Sequence, residues 1–232
     1  MSQLGPKDLA ELMGLMAHDL RNPLSALFTN INFLRASLHD SPAEVLEAVS
    51  DSTLCCAMLG QFIANLDVLG RSLVDSPPPS SAVILQKAAD EAVTRFASQS
   101  KALGVDISMS TGEAAPSVLA DPRWLGRALD NVLANSLQYA PAHSTVNVSL
   151  EIRAQRGVVL VVDDGPVIPP DLRAWALSIG AQAHAKKRFE ARYGRGLGLY
   201  CAAESARLAG AEISIGERQG RAAFEMSAPL FV

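Results

Sequence analysis

The run Met16-Ala17-His18-Asp19-Leu20-Arg21-Asn22-Pro23-Leu24 sets an imidazole, an acid, a base and an amide on a stretch whose apolar residues keep helical spacing. Working outward, Met13, Leu20, Leu27 and Leu34 recur every seven residues between about Lys7 and Leu38, the period of a packed helix. A companion row is Leu9 and Met16 before Pro23, then Leu24, Ile31 and Leu38 after it. The seam therefore shifts by one position at the proline, where a bend is expected. On this register His18 faces solvent, opposite the seam.

His39-Asp40-Ser41-Pro42 reads as a turn, with Ser41 as N-cap and Pro42 opening a second helix. Val45, Val49, Cys56, Leu59, Ile63, Leu66 and Leu73 are its expected inward face. Three consecutive prolines in Asp75-Ser76-Pro77-Pro78-Pro79-Ser80-Ser81 stop it and make residues 76–81 a connector. A lone hairpin buries too little surface to stand by itself, so residues 1–75 are expected to pair with a second copy as a four-helix bundle.

Charge separates the same two regions. The chain has 232 residues, 49% hydrophobic and 19% charged, with net charge −4. Residues 1–75 hold 4 Lys/Arg against 9 Asp/Glu, and residues 76–232 hold 16 against 15. An acidic helical half fits neither nucleic acid nor an anionic membrane. No uninterrupted apolar run reaches the roughly 20 residues of a membrane span, and no secretion signal opens the chain, so a cytoplasmic protein without a span is expected. Cys55, Cys56 and Cys201 have neither metal-ligand nor disulfide spacing and read as reduced thiols.

Beyond the connector the pattern is mixed. Helices are predicted at about 84–103, 122–139 and 197–208. Strands are predicted at 105–109, 145–153 and 157–162, with a hairpin of 212–215 and 222–227. Helices segregated from a mixed sheet make residues 82–232 an α+β sandwich.

Four motifs follow in order. His18-Asp19-Leu20-Arg21-Asn22-Pro23-Leu24 resembles the phosphoacceptor box of two-component sensor histidine kinases, and Asp121 to Ala140, with Asn131 and Asn135 four residues apart, resembles their N box. Val161-Val162-Asp163-Asp164-Gly165-Pro166 resembles the G1 box, and Gly194-Arg195-Gly196-Leu197-Gly198-Leu199 the G2 box. The resemblance implies a phosphotransfer hairpin followed by a Bergerat-type (GHKL) ATP-binding domain, dependent on ATP and Mg²⁺. His18 would be the acceptor and Asp19 its proton acceptor or orienter, with Asn22 helping to place a water for phosphatase action. Asn135 would hold the metal with Asn131 in support, and Tyr139 would border adenine. Asp163 would accept the adenine amine, and Gly165, Gly194, Arg195, Gly196, Leu197 and Gly198 would line the nucleotide. Lys186, Lys187, Arg188, Arg192 and Arg195 would belong to a cationic lid.

The implied partners are a second copy of the chain, a receiver domain whose aspartate takes the phosphoryl group, and a separate sensory or regulatory partner unless the chain is a core cut from a longer protein. Three positions depart from the pattern. Val167 stands where the G1 box carries a second glycine, Gln138 where a lysine is frequent, and the lid has no phenylalanine-rich box. They keep open an alternative, a non-catalytic histidine phosphotransferase or scaffold with a degenerate ATP site.

Overall fold

The computed structural model describes residues 5–38, 40–74, 81–110, 116–179 and 197–231. The chain divides into two units, Met1–Asp75 and Ser76–Val232.

The first unit is a helical hairpin of α1 (Pro6–Ser37) and α2 (Ala43–Ser72). Pro6 opens α1, where its missing N–H costs nothing, and the Asp8 carboxylate accepts the Gly5 N–H at 2.9 Å. Pro23 lies inside α1, which continues through it to Ser37. The N-cap of α2 is Pro42 and not Ser41, and it offers no side-chain bond.

The packed face keeps Val49, Cys56 and Ile63 of the expected face on α2 and Met13 and Leu24 of the expected rows on α1, and leaves out Leu20, Leu27 and Leu34. Val49, Cys56, Ile63 and Gly70, seven apart on α2, are buried. Across from them a Cβ on Gly60 would stand 3.6 Å from Leu24, and one on Gly70 would stand 3.1 Å from the Ala10 carbonyl oxygen and 3.3 Å from Met13 Cβ. Gly70 thus lets the helices close. Arg21 on α1 donates to the Asp67 carboxylate on α2, so a charge pair sits in this same face.

Leu20, Leu27 and Leu34 are 44%, 51% and 44% exposed. They form a second stripe beside the intrachain contact, as Leu59 and Leu73 do on α2. By length and composition α2 is apolar enough to cross a membrane, with mean hydropathy 1.4 over 18 residues. The expected absence of any span therefore does not stand on composition alone.

The second unit is an α+β sandwich. Its sheet has the order β2 (Asp106–Ser110), β4 (Thr145–Arg153), β5 (Arg156–Asp163), β7 (Arg221–Pro229), β6 (Glu212–Arg218). β2 runs parallel to β4, and all other pairs are antiparallel. Helices α3 (Leu85–Leu103), α4 (Pro122–Tyr139) and α6 (Gly198–Ala209) pack together, with a short α5 at Arg173–Ala176. Leu125, Leu129, Leu133 and Leu137 of α4 are almost wholly buried, each contributing about 1.5–3 kcal/mol of transfer free energy.

β1 (Ser81–Ile84) and β3 (Ser117–Ala120) form a separate two-stranded antiparallel sheet that the sequence pattern does not predict. Ser81 already pairs with Ala120, so the last residue assigned to the connector belongs to β1. Val118 of this small sheet packs against Gly157 of β5, where a Cβ would come 2.5 Å from Val118 and 2.8 Å from Leu85 of α3.

Candidate nucleotide site and phosphoacceptor helix

Asp121 caps α4 by accepting the Arg123 and Trp124 N–H groups at 2.9 and 3.2 Å, with Pro122 at the first helical position. The cap and the buried leucines fix the rotation of the helix and hence the faces of its polar residues. Asp130 is buried and anchored to α3 by Arg95, whose Nε and Nη2 donate to Oδ1 at 3.0 and 2.7 Å. Burial pushes the Asp130 carboxyl up, against the pull of Arg95 and Arg127.

Asn131 is buried. Its Nδ2 donates to the Arg127 carbonyl at 3.0 Å, and its Oδ1 has no partner among the described residues. Ser136 Oγ, farther along the helix, is likewise buried and lacks a hydrogen bond of good geometry. Asn135 is half-buried, and Tyr139 ends the helix exposed.

β5 delivers Asp163 to the same region. The residue is 1% exposed, its Oδ1 accepts the Gly165 N–H at 2.8 Å, and its Oδ2 is buried with no hydrogen bond of good geometry among the described residues. Burial pushes this carboxyl up, opposed by the neighbouring Ser136 hydroxyl, the Gly165 N–H and Arg221. A Cβ on Gly165 would fall 2.6 Å from Asp163 Oδ1 and 3.2 Å from both Tyr139 Cβ and the Tyr139 carbonyl. Only glycine lets the turn close onto the end of α4.

Leu197 is half-buried at the N-cap of α6, whose first turn no side chain caps. A Cβ on Gly198 would stand 3.9 Å from Asn131 Oδ1, so this helix start lies beside the N-box asparagine. Tyr139, Asp163 and Gly165 thus meet by direct approach, as do Asn131 and Gly198. Gly194, Arg195 and Gly196, and the proposed lid cations from Lys186 onward, lie outside the described residues. Val167 is half-buried and has no left-handed φ, so it imposes no backbone strain.

Sequence reasoning missed Ser136, although it adjoins Asn135. It also missed the Arg221 cluster. Arg221 is 58 residues beyond Asp163, and only the register that pairs Asp163 with Ala222 brings it near.

On α1, His18 and Asp19 are exposed, at 68% and 81% of their side chains, and His18 Nδ1 lies 3.2 Å from Asp19 Oδ1. A proton on Nδ1 shared with that carboxylate leaves the Nε2 lone pair pointing away from it. Asn22 is exposed one turn on. Leu20 follows His18 by two positions, about 200° round the helix, which puts the imidazole opposite the exposed leucine stripe. Pro23 leaves the Asp19 carbonyl without its helical donor.

A buried carboxylate and amide, each with an acceptor oxygen that lacks a well-formed hydrogen bond among the described residues, lie beside a glycine turn and a helix start, an arrangement suited to a ligand that donates hydrogen bonds and carries anionic groups. The family of histidine kinase-, DNA gyrase B- and HSP90-like ATPases matches residues 120–231. The chain is 27% identical over 213 residues to the adaptive-response sensory kinase SasA of Trichormus variabilis, covering 86% of this chain and 51% of that protein. It is 29% identical over 193 residues to the signal transduction histidine-protein kinase/phosphatase MprB of Mycolicibacterium smegmatis, covering 82% and 38%. Full-length ShkA, solved in complex with AMPPNP, shares the fold at TM-score 0.65 and 20% identity, over 98% of this chain and 46% of that one. The chain spans about half or less of the length of these relatives.

Residues 120–231 are accordingly similar to the ATPases of the histidine kinase, DNA gyrase B and HSP90 type. With the hairpin that precedes it, the domain and its relatives support a sensor histidine kinase catalytic core.

Proposed function

We propose that this chain is the ATP-dependent catalytic core of a two-component protein-histidine kinase. Nε2 of His18 attacks the γ-phosphorus of ATP, the bond to the bridging oxygen breaks, ADP leaves, and the phosphoryl group then passes to a receiver-domain aspartate. The observation that carries this reading is the pair of buried free acceptors, Asp163 Oδ2 and Asn131 Oδ1, accompanied by a turn that only Gly165 permits.

In this reading Asp163 accepts the adenine amine and Tyr139 borders the base. Gly165, Gly194, Arg195, Gly196, Leu197 and Gly198 line the nucleotide, helped by the dipole at the start of α6. Asn135, half-buried one turn beyond Asn131, presents a hard amide oxygen suited to Mg²⁺, with Asn131 in support. Bound Mg²⁺ neutralises phosphate charge. Asp19 handles the imidazole proton, and with Asn22 it orients water for removing phosphoryl groups from the regulator. The naming of MprB as a kinase/phosphatase supports that second role.

A second copy covers the exposed leucines, completing a four-helix bundle from residues 1–75, while residues 76–81 connect it to the catalytic domain at 82–232. A cytoplasmic setting follows from the need for ATP and a receiver domain. The relatives, named as kinases, disfavour the non-catalytic alternative.

Incubation with γ-labelled ATP and Mg²⁺ tests the proposal. It predicts an acid-labile, base-stable label on the protein that is absent from His18→Ala. Full labelling of His18→Ala overturns it.

A further inference from the structure

The five-stranded sheet carries a polar cluster around Arg221 to which the proposed phosphotransfer chemistry gives no role. Arg221, at the start of β7, is ion-paired to Asp164, its Nε lying 2.6 Å from Oδ1 without the alignment of a hydrogen bond. Its Nη2 donates to the Thr145 carbonyl at 2.8 Å. With the Asn147 amide turned so that its oxygen faces the guanidinium, that oxygen accepts from Nη1 and Nη2 at 2.9 and 3.2 Å. One guanidinium therefore ties β7 and β4 to the turn that ends β5.

Strand geometry explains why this matters for Asp163. Successive side chains at the end of β5 point to opposite faces, so Asp163 turns inward toward α4 while Asp164 turns outward to Arg221. The peptide between them is gripped from both sides. On the inside, Oδ1 of Asp163 is held by the Gly165 N–H. On the outside, Arg221 holds the next side chain. Planar donation from Nη1 and Nη2 to Thr145 and Asn147 fixes the direction of the guanidinium, which a lysine ammonium would not, and the charge so placed holds Asp164 as an ion pair.

We propose that Arg221 is a positioning residue for nucleotide recognition, clamping Asp164, Thr145 and Asn147 so that the β5 turn presents Asp163 Oδ2 to the exocyclic amine of adenine. This inference rests on the reading of Asp163 as the adenine acceptor. Arg221 has a second effect. The charged groups that act on Asp163 are Arg221 from β7, which favours the carboxylate, and Asp164 from its own turn, which disfavours it; α4 contributes only the neutral Ser136 hydroxyl. An ionised Asp163 offers both oxygens as acceptors, whereas a protonated one loses acceptor capacity toward adenine.

The test is calorimetric titration of the full chain with AMPPNP and Mg²⁺, and with the guanine counterpart, across pH. Arg221→Met, Arg221→Lys and Asp164→Asn are compared with Asp163→Asn, and thermal melting checks folding. Arg221→Met is expected to weaken AMPPNP binding roughly tenfold or more, the scale of a charge-assisted hydrogen bond misplaced. The loss should be smaller for Arg221→Lys and for the guanine nucleotide, and the acid limb of binding should move to higher pH. A folded Arg221→Met protein that keeps both its affinity and its acid limb overturns the inference. If Arg221→Met does not fold, unaltered affinity and acid limb in Asp164→Asn do the same. Wild-type binding by Asp163→Asn would instead overturn the reading of Asp163 as the adenine acceptor, and loss in Asp163→Asn alone would remove only the role of Arg221.

Discussion

Arg21 of α1 is ion-paired to Asp67 of α2 within one turn of His18, and the pair occupies the packed face between the two helices. The Asp67 side chain is only 12% exposed, while Arg21 remains 43% exposed. Removing one partner leaves the other poorly solvated, so Asp67→Ala should lower hairpin stability by about 1–2 kcal/mol, discounted for the exposure of Arg21. The double exchange Arg21→Asp with Asp67→Arg should recover much of that loss in urea unfolding. A double variant no better than the single one would show that the pair contributes no pairing energy.

Gly165→Ala should separate fold from site. The added methyl would overlap Asp163 Oδ1 and crowd Tyr139, so the turn must move. Strain of about 1–3 kcal/mol is expected, with the domain still folded. AMPPNP affinity, measured by titration, should fall far more than the melting temperature. Unchanged affinity would mean that the turn does not contact nucleotide.

The raised carboxyl of Asp163 has a definite sign. A group whose folded pKa exceeds its unfolded value binds protons more tightly in the native state, so it favours folding at low pH, and this is lost as pH rises from the ordinary carboxylate value through the raised one. Asp163→Asn should therefore be more stable than the native chain above that window and gain nothing below it. Denaturant unfolding at acidic and neutral pH reads the difference. Asp130, raised by burial as well, is common to both proteins and cancels.

Leu27→Glu tests the expected partner of the exposed stripe. A carboxylate buried without a partner costs several kcal/mol, so the variant should sediment as a monomer at concentrations where the native chain sediments as a dimer. Phosphorylation of His18 should decline with it if the two copies cooperate. A dimer that tolerates Leu27→Glu would place the interface on another face.

Periodicity carried furthest where burial is one-sided and the element is long. α4 and β4 run between the residues that the sequence pattern selects, because a cap and proline open the helix and alternation marks the strand. It failed where two apolar stripes share one helix. Leu20, Leu27 and Leu34 repeat as strictly as Ala17, Leu24 and Ile31, and heptad spacing does not say which stripe meets α2. β1 and β3 were illegible because four residues are too few to establish a period, and their pairing spans a distance no local pattern encodes. Asp163 and Asn131 were legible as motif residues. The contacts that orient Asp163, from Ser136 and Arg221, arise from register and packing.

The tether between Asn131 Nδ2 and the Arg127 carbonyl biases the polarity of the N-box amide. With one amine hydrogen engaged by the helix backbone, the buried oxygen is the atom left without a partner among the described residues. In the proposed site it would welcome a cation, a hydroxyl or an N–H and disfavour bare phosphate oxygens, whose donors would then be sought at the start of α6. Two kinds of ligand atom would thus be sorted before any ligand enters.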